Sequence, residues 1–334
     1  MDYRIDSNTP CGVIGYGSWA TALVHTLQEN RKEVWWHVRN PEILESMTTE
    51  GRNAKYLSDI EFDTSIIHVT DNLDEVMENC GIILIAAPSA YLKEFLKDLT
   101  VSIADKFILS ATKGIIPGDY KTVIEYIHDT YGIPYRQTGL ISGPSHAEEV
   151  SRDKLSYLTV VCTDRDNAET IGNMFCTKNV KISYSDDIYG IEYAAILKNI
   201  YALAAGLASG LGYGDNFLSV LISASAREMT RFLDETWPFE RNTMNAAYLG
   251  DLLVTSYSNF SRNRRLGLLI GHGVTVKSAL NEMTMIAEGY FAADCIRHIN
   301  DKHHVEMPIA DMVYQVLYNK ANPRKKMREL SELL

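Results

Sequence analysis

The chain has 334 residues, of which 46% are hydrophobic, and a formal net charge of −11 at pH 7. This length exceeds one typical domain, and the apolar content is enough to build sizeable cores, so extended disorder is excluded. The negative charge argues against a nucleic-acid or anionic-membrane partner, and an anionic small molecule would need a local basic pocket.

Five cysteines are scattered along the chain without a C-x-x-C pair, namely Cys11, Cys80, Cys162, Cys176 and Cys295. This usage is typical of a reducing compartment and predicts no metal site. The first ten residues lack the apolar segment of a signal peptide, and no apolar run approaches the length of a membrane span. We therefore expect a soluble cytoplasmic protein.

The segment 11–22, CGVIGYGSWATA, reads as an apolar strand, a glycine turn and the start of a helix. Gly15, Gly17 and Ala20 form G-x-G-x-x-A, a variant of the dinucleotide-binding fingerprint. In it the first glycine permits a sharp turn, the second lets a pyrophosphate approach the backbone, and the small third residue permits close helix–strand packing. The helix that begins at Ser18 would point its amide-rich end at the phosphates. An ordinary strand-to-helix turn is the alternative, but the strand–turn–helix context favours a cofactor site.

A second strand is predicted over residues 33–38. The fingerprint places an acidic residue near the end of this strand when a ribose 2′-hydroxyl is bound. Here the strand runs into His37, Val38, Arg39 and Asn40, none of which is acidic. Arg39 could meet the 2′-phosphate of NADP, or it could be a solvated loop charge. The sequence therefore admits NADP as well as NAD.

Strands and helices alternate over about 185 residues, which predicts a twisted, largely parallel sheet. The continuous apolar run at 81–87 is typical of a parallel strand that is covered on both faces. The other strands are predicted at 66–70, 106–110, 140–145, 155–162 and 180–184, with helices at 41–50 and, capped by Asp71, at 71–79. Three strand ends should meet at the ligand-binding edge: Pro88-Ser89, Thr112-Lys113 and Gly143-Pro144-Ser145.

From residue 187 onward the sequence predicts helices and no strand. The segment 190–216, GIEYAAILKNIYALAAGLASGLGYGDN, is apolar nearly all round, as expected of a helix buried at the centre of a helical domain. We therefore predict an α/β protein: a Rossmann-type, largely parallel sheet domain at residues 1–185, then an all-helical substrate and catalytic domain at residues 186–334.

Three polar sites of the helical part are candidates for chemistry. Lys198 lies in an apolar helix, where a lysine is costly unless its ammonium reaches a polar cleft; snorkelling to solvent is the alternative. Residues 261–265, SRNRR, begin a helix and form an anion site or a solvated basic helix start. Asp251, taken alone, would usually be a helix cap.

These residues stand in nine sequence blocks that occur in order: GYGSWATAL, AAPS, SATKGI, SGPSHAEEV, AILKNIYALAAGLASGLGYGDN, LGDLLVT, SRNRRLG, EGY and VEMPI. With these blocks the chain resembles the bacterial-type NAD(P)-dependent glycerol-3-phosphate dehydrogenases over essentially its whole length. The resemblance implies reduction of dihydroxyacetone phosphate to sn-glycerol 3-phosphate with NADP or NAD, which supplies glycerophospholipid synthesis. It also implies a homodimer with a small phosphorylated substrate and no metal.

The resemblance carries over a set of site residues. Lys198 matches the catalytic lysine. The implied substrate contacts are Lys113, Gly143, Ser145, Lys198, Asn199, Asp251, Ser261, Arg262 and Asn263. The implied cofactor contacts are Gly15, Gly17, Ser18, Trp19, Arg39, Pro88, Lys113, Ala147, Arg262 and Glu288. The chain departs from the family pattern at Ala20, at Ser58 and at Ala247-Tyr248, of which the last could alter the turn before Asp251.

The chemistry of the reaction agrees with these roles. A developing alkoxide needs a proton and a nearby positive charge, and Lys198 supplies both if burial and the Lys113 cation lower its pKa toward neutrality. Arg262 and adjacent amides would hold the phosphate. A related two-domain 3-hydroxyacid dehydrogenase and a non-catalytic NAD(P)-binding sensor are the alternatives, although a sensor would be expected to lose Lys198 or Arg262.

Overall fold

The structure is a computed structural model that describes residues 3–6, 8–30, 32–283 and 285–334. The chain forms two compact units. Unit 1 comprises Met1–Thr112 and Val123–Ile188, and unit 2 comprises Lys113–Thr122 and Tyr189–Leu334. The predicted single boundary at residues 185 and 186 stays a prediction, and it differs from this division in the segment Lys113–Thr122.

Unit 1 contains an eight-stranded sheet flanked by helices. Its strands are β1 Cys11–Ile14, β2 Val34–His37, β3 Ile67–Thr70, β4 Ile82–Ile85, β5 Phe107–Ser110, β8 Thr138–Ser142, β9 Ser156–Cys162 and β10 Val180–Ser185; β6 Ile115–Ile116 and β7 Lys121–Thr122 belong to unit 2. Its helices are α1 Ser18–Glu29, α2 Pro41–Glu50, α3 Leu73–Asn79, α4 Leu92–Leu96, α5 Val123–Tyr131, α6 Ala147–Val150 and α7 Arg165–Phe175.

The strand order β10-β9-β8-β5-β4-β1-β2-β3 places the first strand in the middle of the sheet. Every neighbouring pair is parallel except β8 with β9. The connections run from β1 toward β3 on one side and from β4 toward β8 on the other, so the order reverses between β1 and β4. In doubly wound sheets ligands bind outside the carboxyl ends of the strands at this reversal. The predicted largely parallel α/β fold is confirmed.

Local sequence explains most element boundaries, with two differences from the predictions. Helix α3 begins at Leu73 and is capped by the side chain of Asn72, which accepts from the backbone N–H groups of Asp74 and Glu75, so the predicted Asp71 cap is wrong. The antiparallel hairpin of β6 and β7 was not predicted. Its strands have only two residues each, too few for a periodic pattern.

Unit 2 is helical apart from this hairpin. Its helices are α8 Ile188–Gly210, α9 Asp215–Thr236, α10 Asp251–Tyr257, α11 Arg262–Gly271, α12 Val276–Glu282, α13 Glu288–His303, α14 Pro308–Leu317 and α15 Pro323–Ser331. One π-helical turn, Ala246–Gly250, precedes α10. In the described residues after Ser185 there is no strand, as the sequence predicts.

Helix α8 is the central element of unit 2. It has the length and hydropathy of a membrane span, so the expectation that no apolar run reaches that length is wrong, yet its most apolar window is fully buried in the protein. Such burial identifies a core helix. It packs against α11 at backbone distance, because a Cβ on Gly206 would lie 2.0 Å from the Arg264 carbonyl oxygen, and one on Gly267 would lie 2.1 Å from that of Leu203.

Candidate functional site

The turn after β1 has the geometry that the glycine fingerprint requires. Gly15 has φ +113°, and a Cβ there would lie 2.7 Å from the carbonyl group of Ala86, just past β4. A side chain is therefore excluded by both conformation and space. The indole of Trp36 donates to the Gly15 carbonyl oxygen at 2.6 Å and fixes the turn from the neighbouring strand.

Gly17 differs from Gly15 in its surroundings. Its backbone is extended, and apart from its chain neighbours no atom of the described residues would lie within 4 Å of a Cβ on it. The fold alone does not require a glycine here, but a phosphate lying against this backbone would. Helix α1 starts at Ser18 with no acidic residue in its first turn, so its N-terminal amides face no competing carboxylate on the helix itself. These residues fit a dinucleotide pyrophosphate.

Asn53 supports this turn and was missed by the sequence analysis. Its buried side chain donates to the carbonyl oxygen of Tyr16 at 3.1 Å and to the hydroxyl of Thr21 at 2.9 Å, and it accepts from two backbone N–H groups of its own loop. The sequence separation of 32 between Thr21 and Asn53 explains the omission, because no local sequence pattern indicates so distant a contact.

Arg39 lies just after β2, and contacts with α4 fix its side chain. Its guanidinium donates to the carbonyl oxygen of Glu94 at 2.7 Å, lies 3.5 Å from the Glu94 carboxylate and stacks 4.1 Å from the ring centre of Phe95. This geometry disfavours the alternative of a loose solvated charge. Contact of Arg39 with a cofactor stays a prediction.

The remaining predicted ligand-binding residues of unit 1 lie at or beyond strand ends. Gly143 follows β8 with φ +110°, and the hydroxyl of Ser145 donates to its carbonyl oxygen at 3.0 Å. Pro88 precedes a short 3-10 turn after β4, and buried Ala147 begins α6. Trp19, on the first turn of α1, is half-buried. Their ligand roles stay predictions.

In unit 2, Asp251 binds two lysines. The Lys198 ammonium forms an ion pair with Oδ1 of Asp251, and Lys113 Nζ lies 3.3 Å from Oδ2. The side chains of Lys198 and Asp251 are 5% and 2% exposed, and that of Lys113 is 17% exposed. Asp251 is the first residue of α10, but its side chain caps no helix. The interpretation of Asp251 as a helix cap is therefore wrong, and its ion pairs are what the sequence analysis missed.

The Lys198 ammonium has an unusual proton affinity. The pKa of Lys198 is lowered from 10.5 to about 7, mainly by burial and also by the Lys113 cation, whereas Asp251 acts in the opposite direction. The predicted direction and both predicted causes are confirmed. A lysine with this pKa exchanges a proton readily near neutrality, as a general acid or base must.

The start of α11 carries the predicted anion-binding residues. Ser261 caps the helix by accepting from the Arg264 N–H at 3.2 Å, which confirms a helix start at SRNRR. Arg262 is half-buried, and within the described part of the chain its guanidinium forms no hydrogen bond or ion pair. A guanidinium in this state can receive an anion.

Two asparagines connect these elements. Asn199 follows Lys198 on α8, and its amide donates to the Lys113 carbonyl oxygen at 2.9 Å. Asn263 donates to Oδ1 of Asn199 at 2.8 Å and accepts from the Gly289 N–H, next to Glu288 at the start of α13. The structure thus brings Lys113, Lys198, Asn199, Asp251, Asn263 and the start of α13 together within unit 2.

One group of possible metal ligands lies elsewhere, although the sequence predicts no metal site. Atoms of His25, Glu29 and Asp153 lie within 4.8 Å of one another on unit 1, and both acids are exposed. Exposed carboxylates often lie this close without an ion. The prediction of no metal stays a prediction.

Comparison with known proteins covers both parts of the chain. Residues 10–168 match the family model for the N-terminus of NAD-dependent glycerol-3-phosphate dehydrogenase, and residues 187–328 match the model for its C-terminus. A glycerol-3-phosphate dehydrogenase [NAD(P)+] of Clostridium botulinum is 36% identical over 318 residues, which is 95% of each chain. One of Staphylococcus epidermidis is 32% identical over 322 residues, covering 96% of this chain and 97% of the relative.

A solved structure is also similar over its full length. The crystal structure of glycerol-3-phosphate dehydrogenase from Coxiella burnetii has a TM-score of 0.90 and 29% sequence identity. The similarity covers 98% of this chain and 100% of that chain.

Proposed function

Because this chain belongs to the NAD-dependent glycerol-3-phosphate dehydrogenase family, we propose that Lys198 donates the proton when dihydroxyacetone phosphate is reduced to sn-glycerol 3-phosphate. The chain is an oxidoreductase that uses NAD or NADP. The observation that carries the role of Lys198 is its buried position in an ion pair with Asp251 beside Lys113, where burial lowers its pKa to about 7.

When bound at the glycine turn, the reduced nicotinamide cofactor would supply a hydride to the carbonyl carbon of the substrate. As the carbonyl π bond breaks, its oxygen gains negative charge, and Lys198 transfers a proton from Nζ to that oxygen. The Lys113 ammonium stabilises the same charge electrostatically. Neutral Lys198 then takes a proton from water, and in the oxidative direction it acts as the base.

The substrate phosphate needs a cation that the fold has not already neutralised. Arg262 meets this need with its half-buried guanidinium, which has no partner among the described residues and lies at the start of α11, where backbone amides add to the attraction. Holding the phosphate positions the carbonyl, so remote binding energy contributes to the rate.

The cofactor residues of the proposal are those of the glycine turn and the neighbouring strand ends. Gly17 and Ser18 would hold the pyrophosphate, and Arg39 would meet the 2′ position of the adenosine ribose. Because no acid stands at the end of β2, we propose that the site accepts NADPH as well as NADH.

A direct assay tests the reaction. Purified protein should oxidise NADH or NADPH when dihydroxyacetone phosphate is added, and Lys198→Met should lower kcat by about 10²- to 10⁴-fold. Exposed Lys302 on α13 provides the control, since Lys302→Met should leave kcat unchanged. Near-normal kcat in folded Lys198→Met would refute the proton-donor role. Turnover of a non-phosphorylated 3-hydroxy acid instead of dihydroxyacetone phosphate would refute the substrate.

The state of the protein in the cell is a further part of the proposal. We propose a cytoplasmic homodimer without a nucleic-acid or membrane partner. Several large apolar side chains stay exposed on unit 2, among them Val220, Leu253, Tyr257 and Phe260, and a second copy would cover some of them. Light scattering should give twice the mass of the chain, and a single-chain mass at all concentrations would refute the dimer.

A further inference from the structure

Four groups of unit 2 form a continuous hydrogen-bonded relay. The Gly289 N–H donates to Oδ1 of Asn263 at 2.9 Å, and Nδ2 of Asn263 donates to Oδ1 of Asn199 at 2.8 Å. Nδ2 of Asn199 then donates to the carbonyl oxygen of Lys113 at 2.9 Å and to that of Ala195 at 3.2 Å. Asn199 is 5% exposed and Asn263 is 8% exposed, so water does not readily replace these partners.

The relay has a defined direction. A backbone N–H can only donate, so Gly289 requires an acceptor and fixes the Asn263 oxygen toward itself. The Asn263 amide nitrogen must then face Asn199, which turns the Asn199 oxygen toward Asn263 and its nitrogen toward the Lys113 carbonyl. Both N–H bonds of Asn199 are used by backbone oxygens. A carbonyl oxygen can only accept, and it completes the relay at Lys113.

The close packing of Gly289 against Asn199 and Asn263 depends on the same arrangement of α8, α11 and α13. A Cβ on Gly289 would lie 2.6 Å from the carbonyl oxygen of Asn199 and 2.9 Å from Oδ1 of Asn263. The first turn of α13 can therefore approach α8 and α11 this closely only with glycine at this position. Each relay member is either a proposed site residue or the sequence neighbour of one: Lys113 itself, Asn199 after Lys198, Asn263 after Arg262 and Gly289 after Glu288.

We propose that Asn199 and Asn263 are positioning residues, which hold Lys113 and Lys198 at fixed positions relative to the start of α13. This role rests on the proposed function and differs from the direct substrate contact that the family resemblance implies. Asn199 has no N–H left for a substrate, whereas one N–H of Asn263 makes no hydrogen bond to any described residue. Loss of either amide should release the Lys113 backbone and weaken the effect of its ammonium on Lys198.

The test compares Asn199→Ala, Asn263→Ala and the double variant with wild type. Each single change should lower kcat by roughly 10- to 100-fold, the range for one buried hydrogen bond left unmade. For Asn199→Ala the KM for dihydroxyacetone phosphate should change by less than about threefold, because both N–H bonds of Asn199 are used within the protein and no ground-state substrate contact is removed. The double variant should be little worse than either single one, since both interrupt the same relay.

The pH profile provides a second readout that a merely structural role would not move. The charged groups that act on Lys198 are Asp251 and Lys113, and Lys113 lowers its pKa. A displaced Lys113 should therefore move the alkaline limb of the kcat profile to higher pH, in the same direction as Lys113→Met. Asn300→Ala is the matched control, because buried Asn300 also makes two backbone hydrogen bonds, both to Val305, at the other end of α13.

The outcomes are separable. A raised KM with unchanged kcat and an unmoved alkaline limb would show that the asparagines bind substrate directly, and multiplicative losses in the double variant would show that no relay connects them. Asn263→Ser, which retains a hydroxyl for only one of the two partners, should reproduce the shift if Asn263→Ala does not fold. Failure of the proposed function is recognised independently, by full activity of Lys198→Met.

Discussion

Asp251 determines the charge balance at the centre of unit 2. Two ammonium groups share its carboxylate, and loss of this anion would leave the buried Lys198 beside the Lys113 cation. Burial and Lys113 both favour neutral Lys198, whereas Asp251 favours the protonated form. The proton needed for reduction near neutral pH therefore depends on this one carboxylate.

Replacing Asp251 with asparagine tests this dependence. Asp251→Asn keeps the volume but removes the charge, so the pKa of Lys198 should fall and the alkaline limb of dihydroxyacetone phosphate reduction should move down by about one pH unit or more. Activity should be lost more steeply at pH 8 than at pH 6. Asp301→Asn, which loses only an exposed ion pair with Arg297, should leave the profile unchanged. An unmoved limb in Asp251→Asn would contradict the role of Asp251.

Arg39 tests the choice of cofactor. Arg39→Asp should raise the KM for NADPH by about 10- to 150-fold, the equivalent of one charge-assisted contact, and should affect NADH much less. Glu94→Gln is the complementary change, because it removes the carboxylate that lies 3.5 Å from the guanidinium and should slightly improve NADPH binding. Equal effects of Arg39→Asp on the two cofactors would show that Arg39 does not read the 2′ position.

At the scale of elements, the turn between β1 and α1 separates stability from binding. Gly15 is required by the fold, since its φ is +113° and the Ala86 backbone leaves no room for a Cβ. Gly17 has ordinary extended backbone and open space around it. Two glycines of one motif therefore have different physical reasons for being glycine.

Alanine substitution should distinguish them. Gly15→Ala should destabilise the protein by about 1–3 kcal/mol or more, because it combines a strained conformation with a backbone clash. Gly17→Ala should leave the Tm unchanged and weaken cofactor binding by at least about tenfold, because its methyl group would occupy the place of the pyrophosphate. Thermal unfolding and cofactor titration measure the two effects. Unchanged cofactor affinity in Gly17→Ala would contradict the placement of the phosphates.

For the whole molecule, two buried groups of unit 2 connect protonation with stability. The carboxylate of Glu228, 1% exposed, accepts from the Ile309 and Ala310 N–H groups at 2.8 and 3.0 Å, at the first turn of α14. Burial raises the pKa of Glu228 from 4.5 to about 7, although those two N–H groups act against the change. Burial lowers that of Lys198 from 10.5 to about 7.

The two shifts have opposite consequences for the free energy of unfolding. A raised carboxyl pKa contributes stability below pH 4.5 that is lost as the pH rises through 7, because the unfolded state has already released its proton. A lowered lysine pKa contributes stability above pH 10.5 that is lost as the pH falls through 7. Together they predict a minimum of these contributions near pH 7, on the order of 3 kcal/mol for Glu228 and on the order of 5 kcal/mol for Lys198.

Replacing each group should remove its contribution to the pH dependence of the free energy of unfolding. Glu228→Gln should flatten the fall in stability between pH 4.5 and 7 relative to wild type, and Lys198→Met should flatten the rise between pH 7 and 10.5. Denaturant unfolding of the cofactor-free protein across this range measures both slopes. Slopes equal to those of wild type in the two variants would show that neither group is shifted in the folded state.

How much the sequence could predict follows from the range of the interactions. The glycine turn, the α1 start at Ser18, the apolar strand β4 and the buried helix α8 are encoded within short segments, so periodicity and glycine placement were sufficient. The prediction of an Asp71 cap was wrong because either of two neighbouring polar residues could cap α3, and the position of the first helical turn selects Asn72.

Tertiary structure decided what no short segment contains. Lys113 and Asp251 are 138 residues apart and Asn199 and Asn263 are 64 apart, so their contacts exist only because α8, α10 and α11 pack at close range. The sequence by itself determined the residue types of the site and the elements that carry them. The ion pairs, the lowered pKa of Lys198 and the direction of the asparagine relay depend on burial and on partners distant in the chain, which the folded protein alone supplies.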